Sequence, residues 1–161
     1  MQIDCFLKLE AIPGESKDKN HTDWIDVLSW TWGLQQFGTM HAQGGGGGGK
    51  ASFNDLTVSA PIDKSAPVLM QKCAKGTHIP TATLINRKAG DSPLEYMKIE
   101  MKDVMVTSVS TGGAPGSPEQ TFDYTINFAE VKVSYQEQDK NGAAKGGTVD
   151  FAWSIEQNNE V

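Results

Sequence analysis

Apolar and polar residues alternate with a period of two along most of this chain. Ile3, Cys5, Leu7 and Leu9 alternate with Asp4, Lys8 and Glu10, which predicts a strand with one buried and one mostly polar face. Val149, Phe151, Trp153 and Ile155 alternate in the same way with Asp150, Ala152, Ser154 and Glu156. The segments between behave differently. In "TFDYTINFAEVKVSYQ" the apolar set runs Phe122, Tyr124, Ile126 and Phe128, then changes phase to Val131, Val133 and Tyr135. In "YMKIEMKDVMVTSVS" it passes from Met97, Ile99 and Met101 to Val104 and Val106. In "WIDVLSWTWGLQQF" it passes from Ile25 and Val27 to Leu28, Trp30, Trp32 and Leu34. A phase change predicts a β-bulge or a strand covered on both faces. Several long strands of this kind predict a curved or closed sheet with part of its outer surface covered by a partner. The outward faces carrying Trp30, Trp32, Val104, Val106, Val131, Val133 and Tyr135 are the candidate covered surfaces.

One stretch carries the helical period. In "IDKSAPVLMQKCAKGTH" the residues Ala66, Leu69, Met70 and Cys73 form a single apolar stripe. Asp63 or Ser65 serves as N-cap, Pro67 lies in the first turn, Gly76 marks the stop, and Lys72 and Lys75 sit near the end where the helix dipole favours cations. Gly, Pro, Asn and Ser punctuate the connections Pro13–Asp23, Gly90–Pro93, Thr111–Gln120 and Asp139–Gly147, a rhythm of β units rather than of alternating β and α elements.

Composition narrows the function. A chain of 161 residues suffices for one domain with a proper core, and 38% hydrophobic, 8% aromatic and 21% charged residues are ordinary for a globular protein. Acids outnumber bases 20 to 14 for a net charge of −6, which argues against nucleic acid as a partner, since that binding rests on Lys and Arg neutralising phosphates. The start "MQIDCFLKLEAIPG" lacks the basic, apolar and small-residue regions of a signal peptide, and no segment approaches the ~18 apolar residues of a membrane span. Cys5 and Cys73 are expected as buried free thiols in a cytosolic protein.

Chemistry is tested most sharply by "HAQGGGGGGKAS". Gly44 to Lys50 satisfies G-x-x-x-x-G-K, but a phosphate-binding loop needs Ser or Thr next and a helix starting there. Here Ala51 follows, and then Leu56, Val58, Ala60 and Ile62 at strand spacing. Nucleotide binding is therefore disfavoured, which leaves a flexible linker or a functional loop, and a long loop between two strands of one domain favours the functional one. Ser16 and Lys19 match S-x-x-K without its companion motifs. His21, His41 and His78 lie in or beside loops without ligand spacing. No catalytic, metal or cofactor site is expected.

The strings "GESKDKNH", "IDVLSWTWG", "GGGGGGKASFNDL", "IDKSAPVLMQKCAKGTH", "RKAG", "VTSVSTGG" and "NFAEVKVSY" occur in this order. Together, over almost the whole chain, they resemble the haemolysin-coregulated protein (Hcp) family, tube subunits of bacterial type VI secretion. The resemblance implies a mainly β, single-domain β-barrel of two sheets over residues 1–161, with one short helix alongside. It implies six copies in a ring and rings stacked into a tube, with effector proteins carried in the lumen. A spike protein at the tip and a surrounding contractile sheath are the further partners it implies. It also implies no enzymatic activity, and export from the bacterial cytoplasm by injection, without a signal peptide. By position, the loop from Gly38 to Lys50, with Gly44, Gly45, Gly46, Gly47, Gly48, Gly49 and Lys50 at its centre, contacts a neighbouring subunit or ring. By the same analogy Ser110, Thr111 and Ser117 contribute to the lumen. The competing expectation is a monomeric β-barrel binding a ligand in its interior.

Overall fold

The computed structural model describes residues 3–38, 40, 41, 44, 48–90 and 92–161. Its strands are β1 (Ile3–Leu9), β2 (Ile25–Val27), β3 (Ser29–Thr31), β4 (Leu34–Gln35), β5 (Ser52–Phe53), β6 (Leu56–Pro61), β7 (Ile79–Lys88), β8 (Leu94–Thr111), β9 (Thr121–Gln138), β10 (Ala144–Ser154) and β11 (Asn159–Glu160). A single helix, α1 (Ser65–Lys75), stands between β6 and β7. The larger sheet runs β11-β10-β9-β8-β7-β1-β2, with β6 also paired to β9 and β3 to β6. β4 and β5 form a separate two-stranded sheet.

Among the described residues the expected β-barrel does not close. The segment 25–31 changes partner at Leu28. β2 ladders with β1, Leu28 N–H donates to Ser59 O at 2.8 Å, and β3 ladders with β6. The phase change from Ile25 and Val27 to Trp30 is this change of partner, which leaves the Leu28 side chain exposed.

The phase changes in β8 and β9 have a common cause. Their register is constant from Met97↔Tyr135 through Met101↔Val131 and Val104↔Phe128 to Val106↔Ile126. Buried residues nevertheless step from Met101 to Val104 in one strand and from Val131 to Phe128 in the other, at the same level. Asp103 takes a positive φ of 52° there. Opposite it, the Ala129 carbonyl accepts Ile155 N–H at 2.8 Å and Glu156 N–H at 3.3 Å. Both strands turn together, and below the corner β6 replaces β10 on the free edge of β9.

The core follows from these inward rows. Leu7, Leu84, Ile99, Met101, Val104, Val106, Val131, Leu56, Val58 and Ile126 are almost wholly inaccessible, each burial stabilising by about 1.5–3 kcal/mol. Helix α1 docks on β8 through Ala66 and Leu69, whereas Met70, expected in the same stripe, is exposed. Its N-cap position is Lys64, not Asp63 or Ser65. Asp63 instead caps from one residue earlier, its Oδ1 accepting from Ser65 N at 2.8 Å and from Ser65 Oγ. Gly76 ends the helix in the left-handed conformation, φ 65°, as its lack of a Cβ permits. Both thiols are free and only half-buried.

Candidate assembly surfaces

The segment 13–24 is mostly exposed but buries two polar side chains, Ser16 and His21. It folds back on itself through Gly14 N–H to Asp23 O at 2.7 Å and Ser16 N–H to Trp24 O at 2.9 Å. Gly14 is required there, because a Cβ would stand 2.5 Å from the Trp24 carbonyl oxygen. The folded segment covers the outer face of β1 and β7, where Phe6 and Ile85 point away from the main core yet are buried. His21 stacks on Phe6 with ring centroids 4.4 Å apart and meets Trp24 edge-on at 4.8 Å. Its Nδ1 lies 2.8 Å from Asp18 Oδ2 and its Nε2 2.8 Å from Glu95 Oε1. Arg87, only 11% exposed, donates to both oxygens of Asp18 (3.0 and 2.8 Å) and to Asp4 Oδ2 (3.0 Å). Those bonds hold the Asp18 carboxyl well below the usual carboxylate range against the opposing effect of burial, and raise Arg87 in turn. Glu15 reaches further and accepts Lys64 N–H at 2.8 Å, joining the segment to the start of α1.

The strand pattern leaves a second feature, an apolar strip. Row by row, the inward face crosses Leu7, Leu84, Ile99, Val133 and Phe151, and then Cys5, Asn86, Met97, Tyr135 and Val149. The β1 end of these rows is covered, while Tyr135, Val149 and Phe151 are 48%, 73% and 37% exposed. Among the described residues β10 carries no ladder on its outer edge from Ala144 to Phe151, because β11 pairs only with Trp153 and Ser154. The opposite face of β8–β10 is a checkerboard of exposed pairs such as Lys102–Glu130 at 3.7 Å and Lys132–Asp150 at 3.9 Å, each worth little to stability.

A third surface is rich in hydroxyls. The outward residues of β3, β6, β9 and β8 align as Ser29, Ser59, Asp123 and Ser110, and as Thr31, Thr57, Thr125 and Ser108. Asp55 ties its lower end, accepting from Thr107 Oγ1 at 2.7 Å and Asn127 Nδ2 at 2.9 Å. Beyond β4 and β5 the hairpin continues to a bridge between Gly38 and Gly48 and exposes Leu34, Phe37 and Met40.

The residues singled out from sequence divide among these places. Val104, Val106 and Val131 are not outward-facing but lie in the chain's own core, because the paired corner turns them inward. Trp30 is half-buried, its Nε1 donating to Asn86 Oδ1 at 3.0 Å. Trp32 packs against Phe53 and Phe128 and donates to Asn54 O at 3.0 Å. Val133 is half-buried and Tyr135 exposed. Ser110 belongs to the hydroxyl face; Thr111 sits at its margin, donating to Thr121 O at 2.8 Å, and Ser117 lies in the turn beyond. Gly44, Gly48, Gly49 and Lys50 are exposed on the hairpin, and Gly45, Gly46 and Gly47 lie outside the described residues. The Asp18–His21–Arg87–Glu95 cluster was not singled out, since the partners are too far apart in sequence for spacing to show them. The exposed strip was signalled only by a strand whose apolar side, Val149 and Phe151, alternates as cleanly as a core strand.

Comparison with known proteins agrees with the architecture. Residues 6–135 match the family model described as type VI secretion system effector, Hcp. The chain is 50% identical over 159 residues to Protein hcp1 of Pseudomonas aeruginosa, covering 98% of each. Among solved structures, it superposes on Hcp1 from Salmonella typhimurium over the whole of both chains, with 38% identity and a TM-score of 0.84. A structure described as that of a type six secretion system protein gives 29% identity and a TM-score of 0.93, covering 99% of this chain and all of that one. A type VI secretion system effector from Yersinia pestis gives 30% identity and a TM-score of 0.77, covering 94% and 99%. On this match of sequence and fold, the chain belongs to the Hcp family of type VI secretion proteins.

Proposed function

We propose that this chain, as one domain over residues 1–161, is the tube subunit of a type VI secretion apparatus. Six copies close into a ring, rings stack into a tube, and effector proteins travel in the lumen. The observation that carries the assembly is the strip of Tyr135, Val149 and Phe151 beside the open edge of β10. A strand edge with unpaired backbone groups and exposed apolar side chains is a template for another chain. In a cyclic ring the interface is heterologous, so this strip meets a different patch of the next copy. The half-buried Trp30, Trp32 and Val133 are retained as interface candidates with Tyr135.

The hydroxyl face of β3, β6, β9 and β8 is the proposed lumenal wall, with Ser110 on it and Thr111 and Ser117 at its margin. Short uncharged hydroxyls hold a passenger by weak hydrogen bonds and release it readily. The loop from Gly38 to Lys50 is the proposed stacking contact between rings. Its glycines allow close backbone approach, and ordering them on contact costs entropy. The spike at the tip, the contractile sheath outside, a non-catalytic role and export by injection from the bacterial cytoplasm complete this reading.

The test is the native mass of the purified protein by light scattering, with negative-stain images of the same peak. Open six-fold rings support the proposal. A dispersed monomer overturns self-assembly and favours a ligand-binding module.

A further inference from the structure

We infer that the β9–β10 turn is a self-modifying site, at which Asn141 converts to aspartate and isoaspartate with Lys88 as an electrostatic promoter. Asn141 is the one asparagine of the sequence followed by glycine. The other asparagines precede His21, Asp55, Arg87, Phe128, Asn159 or Glu160, whose side chains crowd attack by their own amide nitrogens. Asn141 is exposed at the tip of the turn. Gly142 follows in the left-handed conformation, φ 83°, in a tight turn closed by Gly142 N–H to Asp139 O at 3.0 Å and Asp139 N–H to Ala143 O at 2.8 Å.

The Lys88 ammonium rests against this glycine, since a Cβ built on Gly142 would stand 2.8 Å from Lys88 Nζ. The reaction begins when the Gly142–Asp139 bond opens and the Gly142 amide loses its proton to hydroxide. The amide nitrogen attacks Asn141 Cγ, a new C–N bond closes a five-membered imide, and ammonia leaves after taking a proton from water. Water then adds to either imide carbonyl and opens the ring. The net change is one water consumed and one ammonia released, with no oxidant or reductant.

The Lys88 cation stabilises both the amide anion and the anionic tetrahedral adduct. A unit charge at roughly 4 Å in water changes such a rate about five-fold. The product places a second carboxylate beside Asp139, whose Oδ1 accepts from Asn141 N at 2.8 Å and Ala143 N at 3.0 Å. Isoaspartate also lengthens the backbone of the turn by one methylene.

The experiment incubates the purified protein, in its native assembly, for several days in warm, mildly alkaline buffer. Digestion and mass spectrometry then follow the peptide containing residue 141, and an isoaspartyl methyltransferase assay identifies the product. Replacement of the amide NH2 by OH at Asn141, outpacing every other asparagine and absent in Asn141→Gln, is the expected result. In Lys88→Gln the same gain should accumulate about five-fold more slowly. No gain at residue 141, or an equal gain at the other asparagines, overturns the site; Lys88→Gln reacting at the wild-type rate overturns the promotion.

Discussion

Substitution of Arg87 by Met removes the guanidinium that holds the segment 13–24 onto β1 and β7, while keeping an apolar stem over Phe6. In the native chain the guanidinium carbon lies 5.0 Å from the Phe6 ring centre, and its nitrogens bond Asp18 twice and Asp4 once. Breaking a fully buried pair costs 3–5 kcal/mol because a desolvated charge is left behind, while an exposed pair is worth 0–1. Arg87 is 11% exposed, Asp18 20% and Asp4 35%, so the loss should be about 2–3 kcal/mol, between those limits. For a chain of this length that is a drop in Tm of about 5–10 °C. Melts are compared at one protein concentration, because assembly itself raises Tm.

The effect has a definite pH dependence. The folded state depresses the Asp18 carboxyl, chiefly through Arg87, with help from His21 and the Asn20 amide. A group depressed on folding contributes stability that is fully present above its unfolded value, near ~4, and is lost as pH falls toward the folded one. The gap between wild type and Arg87→Met should therefore be widest at neutral pH and narrow below about pH 4. A loss under about 0.5 kcal/mol, the scatter of surface substitutions, or a gap that stays constant into acid, would refute the clamp.

Glutamate at both Val149 and Phe151 should convert rings to monomers on a sizing column, since burying unpaired carboxylates costs several kcal/mol; persisting rings would move the interface elsewhere. Replacing Gly44–Gly49 by a short rigid turn should reduce stacking into tubes and leave single rings in negative stain; tubes as long as before would sink the stacking role. Gly14→Ala should lower stability by about 1–3 kcal/mol in urea titration, through forced overpacking against the Trp24 backbone; a neutral result would mean that the segment shifts at no cost.

Legibility in the sequence followed the range of the interaction. That β1 and β10 are strands and that α1 stops at Gly76 is set by neighbours within a few residues and matches the structure. The expected buried faces do not hold throughout, since Ile3, Val149 and Phe151 are exposed and Phe6 is buried. The phase changes were visible, but their meaning was not. A slip in β8 reads as an outward turn of Val104 and Val106 until β9 is seen to slip at the same level, Val131 to Phe128, with register kept. That pairing spans some two dozen residues of chain, beyond any local period. The clamp was hidden for the same reason. Asp18 and His21 are neighbours in a charged loop, while Arg87 and Glu95 arrive from β7 and β8, and only the sheet brings them together.

The corner at Asp103 and Ala129 also divides the outward surface into two chemical zones. Because β8 and β9 turn as a pair, one half of β9 lies beside β10 and the other beside β6, while β8 follows β9 through both halves. The outward face therefore changes character at the corner, from the charged checkerboard of Lys98, Glu100, Lys132 and Asp150 to the hydroxyls of Thr57, Ser59, Thr125 and Ser108. A straight hairpin of the same length would present one continuous face to one environment. With the turn, the same two strands offer a charged surface on one side of the corner and a hydrogen-bonding surface on the other. The apolar strip at Tyr135, Val149 and Phe151 lies on the inward side of the β10 half, where the rows run past the core. On the proposed reading as a tube subunit, a neighbour, a passenger and an outer casing call for three chemically distinct surfaces, and two long strands that bend together provide much of all three.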